Sequence, residues 1–407
     1  MRVSSLPSPV VLIEESRLLA NLDTMAERAA AQGVRLRPHT KTHKSVDLAR
    51  MQLDRGAHGI TVAKVGEAEV FAASGFDDIR LAYVTLGADK WNRLLKLEKG
   101  GVRISFCVDT PEGARAVAAH YHEAGRRARV LLEIDTGYHR CGIRWDATAL
   151  EDFVRELSDM DGLELIGILT HAGNAYYGPR RMSDERVGDQ SAEETREEAL
   201  RRVGREERDR MLDVAVRLAE AGVIPAPNGP TGTGSDFEIS IGSTPSLRYF
   251  ENVTRGGFRI TEIRPGNYVF HDATQVGLGV APYSACALTV RATVISKHRN
   301  PDGSERLFLD AGKKVLTSDG AFGHEGFGVL LYNERDMSPL PHHTISALSE
   351  EHGWLRVRGG STLSVGDTVR LVPNHACVVV NTQRYLYLVE GEEVLDTWAV
   401  SAQGRVV

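Results

Sequence analysis

The sequence is poor in the features that mark several functional classes. Aromatic residues fill only 6% of its 407 positions, too few for a base-stacking platform that grips single-stranded nucleic acid. Positive charge is not in excess: 49 Lys and Arg stand against 55 Asp and Glu, a formal charge of −6. Such a chain has no global attraction for nucleic acid or an anionic membrane. No apolar run approaches the roughly 20 residues that span a bilayer, and the opening Met1-Arg2-Val3-Ser4-Ser5 lacks the apolar stretch of a signal peptide. Four cysteines, Cys107, Cys141, Cys286 and Cys377, make no disulfide framework in so long a chain. Internal repeats and low-complexity tracts are missing as well. The expectation is a cytoplasmic protein that handles small molecules, with no nucleic-acid and no membrane partner.

What the chain does have is core. Hydrophobic residues at 42% and charged residues at 26% are ordinary for a large globular protein, and the length predicts two domains, or a barrel with an appendage. From about residue 30 to 265, short β-branched runs alternate with amphipathic stretches. Candidate strands are Val34–Arg37, Gly59–Ala63, Ile79–Val84, Val102–Val108, Val130–Asp135, Leu163–Thr170, Pro225–Gly229 and Phe258–Arg264. Between them, Lys64–Ser74, Lys90–Lys99 and Thr110–Ala124 carry apolar residues three and four apart, the stripe of a helix lying on a sheet. Eight such strands predict an α/β fold, a (β/α)8 TIM-like barrel, with an open doubly wound sheet as the alternative.

After about residue 275 the helical period disappears. Cys286–Ser296, Arg306–Ala311, Thr368–Val372, Cys377–Asn381, Tyr385–Val389 and Val394–Val400 read as strands of a C-terminal all-β domain. The expected domains are 1–272 and 273–407, with the opening residues able to pack on the second. Residues Tyr177 to Met211 interrupt the barrel pattern with a charged insertion. It reads as a solvated helix with i,i+4 ion pairs, a lid being the alternative.

Three constellations carry chemistry. Arg37-Pro38-His39-Thr40-Lys41-Thr42-His43-Lys44 follows the first barrel strand, and in this fold the C-terminal strand ends hold the active site. A partly desolvated lysine among other cations becomes a nucleophile able to condense with a carbonyl; the alternative is a basic surface loop. In Pro373-Asn374-His375-Ala376-Cys377, a strand would put His375 and Cys377 on one side, where imidazole and thiolate suit Zn2+. A buried histidine beside a core cysteine would look the same. Glycine-rich turns at Asp135–Gly142, Ile241–Pro245 and Arg264–Tyr268 offer N–H and hydroxyl groups to a phosphate, although each alone reads as a structural loop.

On these motifs the chain resembles the fold-type III pyridoxal-phosphate enzymes, within them the D-serine dehydratase and D-threonine aldolase family. The resemblance spans nearly the whole chain. It rests on Ser8–Leu12, Arg37–Lys44, Gly59–Ala63 with Gly66–Glu69, Thr170–Gly173, Arg264–Tyr268, Leu348–Gly353, Pro373–Cys377 and Asp396–Trp398. It implies that Lys41 carries pyridoxal 5'-phosphate covalently and that Arg140 stands beside the cofactor's phenolic oxygen. It further implies that Gly242, Ser243 and Thr244, with the backbone of Gly266 and Asn267, cradle the phosphate. It also implies that Arg264 approaches the pyridine nitrogen and that His39 and Tyr268 complete the cofactor set. His375 and Cys377 match the zinc pair of the dehydratases, another divalent ion such as Mn2+ being the alternative. The aldolase branch typically has an aspartate in place of that cysteine.

Asn174 is a departure, standing where many relatives carry a second histidine. The implied activity is a lyase reaction, dehydration of a D-amino acid bearing a β-hydroxyl to a 2-oxo acid and ammonia. Retro-aldol cleavage to glycine and an aldehyde is the alternative. The resemblance also implies a homodimer with active sites between the barrel of one subunit and the β domain of the other. Arg180 and Arg181 are candidates to meet an acidic substrate, or to be solvated.

Overall fold

The structure, a computed structural model, describes residues 1–177, 194–227 and 237–407. The chain divides into two compact units. One comprises Ala26–Lys41, Ala49–Gly266 and Arg405–Val407; the other comprises Met1–Met25, Thr42–Leu48 and Asn267–Gly404.

The strands are numbered along the chain, and β1 (Val10–Glu14) belongs to the second unit. The first holds β2 (Arg35–Leu36), β3 (Ile60–Val62), β4 (Asp78–Val84), β5 (Arg103–Val108), β6 (Ala128–Asp135), β7 (Ile143–Arg144), β8 (Leu163–Leu169), β9 (Glu238–Ile241) and β10 (Glu262–Ile263). Eight of them run parallel in the order β2-β10-β9-β8-β6-β5-β4-β3, with β7 a short side branch on β6. A parallel bridge between His39 and Thr61 joins the two ends of the row, and the N–H of Thr61 donates to Pro38 O at 2.8 Å. The α/β barrel of the sequence reading is the result. Its helices follow from local signals. Before Pro111–Glu123, the Thr110 hydroxyl accepts the N–H of Gly113 and a proline opens the first turn, both start signals. Ala114, Val117, Ala118 and Tyr121 then bury one face at the spacing of a helix lying on a sheet.

The barrel interior is partly ionic. Glu262 accepts from Arg37 Nε at 2.6 Å, Arg80 Nη1 at 2.5 Å and Ser240 Oγ at 2.6 Å. Arg80 also reaches Glu238 at 2.6 Å, and Arg37 reaches Asp78 at 2.6 Å. Burial opposes ionisation of Glu262, but Arg80 and Arg37 outweigh it and hold the carboxyl well below the usual range. Two stretches of the barrel unit differ from the sequence reading. The strand expected at Pro225–Gly229 does not form over its described residues, Pro225–Pro227, because two prolines remove the donors an interior strand needs. The strand is β9 instead, whose Glu238 and Ser240 interrupt the apolar run by which buried strands are recognised. Only Glu262–Ile263 of the expected Phe258–Arg264 is strand, because Phe258 closes a tight turn back onto Arg255, each N–H donating to the other's carbonyl.

In the second unit β11 (Leu288–Arg299), β12 (Glu305–Leu309), β13 (Val329–Asn333), β14 (Ser338–Pro339), β15 (His343–Leu348), β16 (Gly353–Val357), β17 (Thr368–Val372), β18 (Tyr385–Glu390) and β19 (Glu393–Ala399) join β1. The main path is β14-β13-β17-β11-β1-β18-β19, with β12, β16 and β15 branching from β11. Apart from the parallel β1–β18 pair, its pairings are antiparallel. The strand expected at Cys377–Asn381 is a helix, Ala376–Thr382. Its β-branched run suggested strand by propensity, which tertiary context overrides.

Over the described part of the charged segment a helix with i,i+4 ion pairs forms as expected, Arg196–Glu220, with Arg201 on Glu197; it is not solvated, because Ala199, Leu200, Val203, Gly204, Glu207, Arg208 and Met211 are buried in the barrel unit. The rest of the expected insertion, with Arg180 and Arg181, lies outside the described residues. All four cysteines are free. Among the described residues no helix is long and apolar enough to cross a membrane.

Candidate active site and metal centre

The C-terminal ends of β2, β6, β8, β9 and β10 bring most of the barrel-borne candidates together. After β2 the chain turns through Thr40–Thr42. His39 is fixed there, its N–H donating to Pro265 O at 2.9 Å and its Nδ1 lying 3.4 Å from the Lys41 N–H. Lys41 is half-buried. After β6, Asp135 Oδ1 accepts the N–H groups of Gly137, Tyr138 and His139 at 2.8, 3.0 and 3.0 Å, which turns the loop so that Arg140 sits 3.6 Å from Glu133 and over the Tyr138 ring. After β10, buried Arg264 donates from Nη2 to Thr170 O at 2.5 Å and from Nη1 to Ser240 Oγ.

His171, just past β8, shows that these groups converge. Burial lowers its pKa well below the ordinary value, and the charges of Lys41, Arg140 and Arg264 lower it further. The imidazole is therefore neutral at pH 7. Its Nδ1 lies 3.2 Å from the carbonyl of Gly242, so Nδ1 carries the proton and Nε2 is left as an acceptor. Tyr138 packs edge-on against it, with centroids 5.9 Å apart.

The turn after β9 is the candidate phosphate site. Gly242 has φ +131°, and a Cβ there would lie 2.9 Å from the Arg264 nitrogen. Within the turn, the N–H of Gly242 donates to Glu207 at 3.0 Å and that of Ser243 to Ser246 Oγ at 3.2 Å, while the Ser243 hydroxyl donates to Ala172 O at 3.3 Å. Three cations around a neutral imidazole, beside a turn only glycine can enter, fit a phosphorylated aldehyde cofactor. Lys44, the next lysine of the motif, belongs to the second unit, where its carbonyl accepts the N–H of Ala402 at 3.0 Å.

The second unit gathers the remaining candidates. His375 precedes the first turn of Ala376–Thr382 and Cys377 lies within it, so the pair meets through a helix start and not through strand alternation. His375 Nδ1 donates to Asp319 Oδ2 at 2.6 Å. Burial disfavours the charged ring, yet Cys377, Asp319 and Asp272 push it up to about 11. Cys377 Sγ lies 3.3 Å from the hydroxyl of Thr42, the residue that follows Lys41.

Asn267 donates to Asp272 at 2.6 Å and lies 4.0 Å from Cys377 Sγ, while its buried Oδ1 has no hydrogen-bond partner. Asp272 also accepts the Ala376 N–H at 3.0 Å. Tyr268 is buried beside Asn267. Among the described residues no cluster of three or more His, Cys, Asp and Glu side chains is arranged to hold a metal. An ion at His375 and Cys377 would thus keep positions for other ligands. The donor set fits one: a carboxylate on Nδ1 orients an imidazole to ligate through Nε2, beside a thiolate.

Two family profiles cover these regions. Residues 13–225 match the alanine racemase N-terminal domain, and residues 287–389 match a putative serine dehydratase domain. The chain belongs to the fold-type III pyridoxal-phosphate family. Among its relatives, a D-threo-3-hydroxyaspartate dehydratase from Delftia sp. (strain HT23) is 33% identical over 92% of this chain and 91% of that protein. A D-threonine aldolase from Arthrobacter sp. is 30% identical over 98% and 93%. The dehydratase has been solved with a histidine replaced by alanine, and again, in a metal-free form, with a cysteine two residues further on replaced by alanine. Both structures superpose with a TM-score of 0.82 at 31% identity, over 98% of this chain and 96% and 98% of theirs.

Within this pyridoxal-phosphate fold, sequence reasoning passed over His171, Glu207, Asp272 and Asp319. Thr170–Gly173 contributed to the resemblance without a role for its histidine. Asp319 lies 56 residues from its partner, and no spacing rule connects them.

Proposed function

We propose that this protein is a pyridoxal-phosphate- and zinc-dependent dehydratase of D-3-hydroxy amino acids. Candidate substrates are D-serine, D-threonine and 3-hydroxy-D-aspartate, each giving a 2-oxo acid and ammonia. The carrying observation is the Asp319–His375 pair beside Cys377. Hydroxide is a poor leaving group, and an oriented imidazole with a thiolate is a ligand pair for a Lewis-acidic ion. The histidine and cysteine variants of the related dehydratase, the latter metal-free, support the same assignment.

When bound, the cofactor stabilises negative charge at the substrate α-carbon and the metal assists departure of the β-hydroxyl. The chain's residues do the rest. Lys41 Nζ would hold the cofactor until the substrate amine displaces it and, as the freed amine, would then take the α-proton. The Gly242–Thr244 turn, with Gly266 and Asn267, receives the phosphate, while Arg140 and Arg264 face the ring's oxygen and nitrogen; His39 and Tyr268 line the site. Neutral His171 adds no charge that would compete with them. His375 and Cys377 would hold the metal, and Asp319 keeps the proton on Nδ1 so that Nε2 is the nitrogen left to lose its proton and ligate. The α-proton and β-hydroxyl leave as water, and hydrolysis of the released enamine gives the oxo acid and ammonia. This reading divides the chain at 1–272 and 273–407 and includes a homodimeric, cytoplasmic enzyme.

The test is to supply the zinc-loaded protein with D-serine, D-threonine and D-threo-3-hydroxyaspartate and to assay oxo acid, ammonia, glycine and aldehyde together. Oxo acid and ammonia in equal amounts are expected. Glycine with aldehyde would move the protein to the aldol-cleaving branch, which the relative at 30% identity represents.

A further inference from the structure

The helix Arg196–Glu220 touches three of the loops that end barrel strands. Arg210 Nη1 donates to Thr136 O at 2.6 Å, after β6. Glu207 Oε1 accepts two backbone N–H groups, from Ala172 at 3.2 Å after β8 and from Gly242 at 3.0 Å after β9. One turn earlier, Gly204 packs so closely that a Cβ would come within 2.5 Å of Ser246 O. Residues 204 and 207 lie on one helix face, so a single face backs the whole Gly242–Ser246 turn. Glu207 is only 1% exposed, whereas the Arg201–Glu197 pair of the same helix lies on its exposed side.

We propose that Glu207 is a positioning residue for the phosphate end of the cofactor: by holding the Ala172 and Gly242 N–H groups from behind, it sets the direction in which the Gly242–Thr244 turn faces. The proposal rests on the cofactor placement given above. Without Glu207 two buried donors lose their acceptor, and the turn must rotate to find another. Burial pushes the carboxyl up toward its neutral form, against the hydrogen bonds from Ser246, Gly242 and Ala172.

The test compares apo-protein titrated with pyridoxal 5'-phosphate and with pyridoxal, following absorbance and protein fluorescence. Wild-type protein should prefer the phosphorylated form. Glu207→Ala should weaken its binding by about 10- to 100-fold while changing pyridoxal binding less than about twofold. Glu207→Gln keeps an acceptor oxygen for both N–H groups and should restore most of the preference. Should Glu207→Ala fail to fold, Gly204→Ala serves instead, since its methyl group displaces Ser246 and should erode the same preference. Variants that retain the wild-type preference, or lose both ligands equally without rescue by glutamine, overturn the assignment of Glu207. A wild-type protein that does not distinguish the two ligands overturns the phosphate site itself, and this inference with it.

Discussion

One carboxylate decides how His375 faces its neighbours. Asp319 occupies Nδ1, and removing such an orienting group from a metal-ligating histidine typically costs 10–100-fold in metal affinity. On the proposed function, Asp319→Ala should weaken zinc binding by about that factor in a chelator competition, with a smaller effect for Asp319→Asn. Glu98 supplies a pH-dependent prediction. Burial raises its carboxyl to about 7 against the pull of Arg126 and Tyr121. Between the ordinary carboxylate range and that value, the folded protein keeps a proton the unfolded chain has lost, so stability falls as pH rises through the window. Glu98→Gln should raise the melting temperature at pH 8 and leave it nearly unchanged at pH 4; solvent screening keeps the gain to about 1 kcal/mol. The candidate site residues legible from sequence were those whose neighbours in the chain share their chemistry, such as Lys41 within its basic run and Cys377 beside His375. Asp319 and Glu207 act on groups far away in sequence, and an isolated acidic residue looks like any solvated one.

Among the elements, the barrel helices declared themselves because their buried faces are apolar. Arg196–Glu220 read as a helix but hid its buried side, since Glu207 and Arg208 share that side with Leu200 and Val203 and blur the apolar period. Its start is marked, however. The Thr195 side chain accepts the Glu198 N–H at 3.3 Å while Glu198 accepts the Thr195 N–H at 2.8 Å, a reciprocal cap. Thr195→Ala should lower stability by about 1 kcal/mol, measured by urea denaturation, with faster amide exchange confined to the first turn. Ala376–Thr382 was misread for the opposite reason. Val378, Val379 and Val380 favour a strand, but Asp272 takes the Ala376 N–H and fixes a helical start.

Across the whole molecule, the alternation of strands and helices was enough to infer the barrel, while its ionic interior was hidden because polar strand residues resemble loops. Glu262 joins residues from four parts of the ring: Arg37 beyond β2, Arg80 on β4, Ser240 on β9 and its own strand β10. Glu262→Gln would leave two buried guanidinium groups short of a counter-charge and should destabilise the barrel by about 3–5 kcal/mol in thermal or denaturant unfolding.

The position of β1 bears on synthesis. All five residues of Val10–Glu14 are buried, yet their partners are Leu288–Arg291 on one side and Tyr387–Val389 on the other. A ribosome makes this central strand some 375 residues before its second neighbour, Leu12 pairing with Tyr387. Domains begin to fold while the chain is still emerging, so the barrel residues can gather before β1 has anything to pair with. Until then an apolar strand with two open edges is exposed to other nascent chains, the condition that invites edge-to-edge aggregation. A chain terminated before residue 385 would keep that edge open permanently.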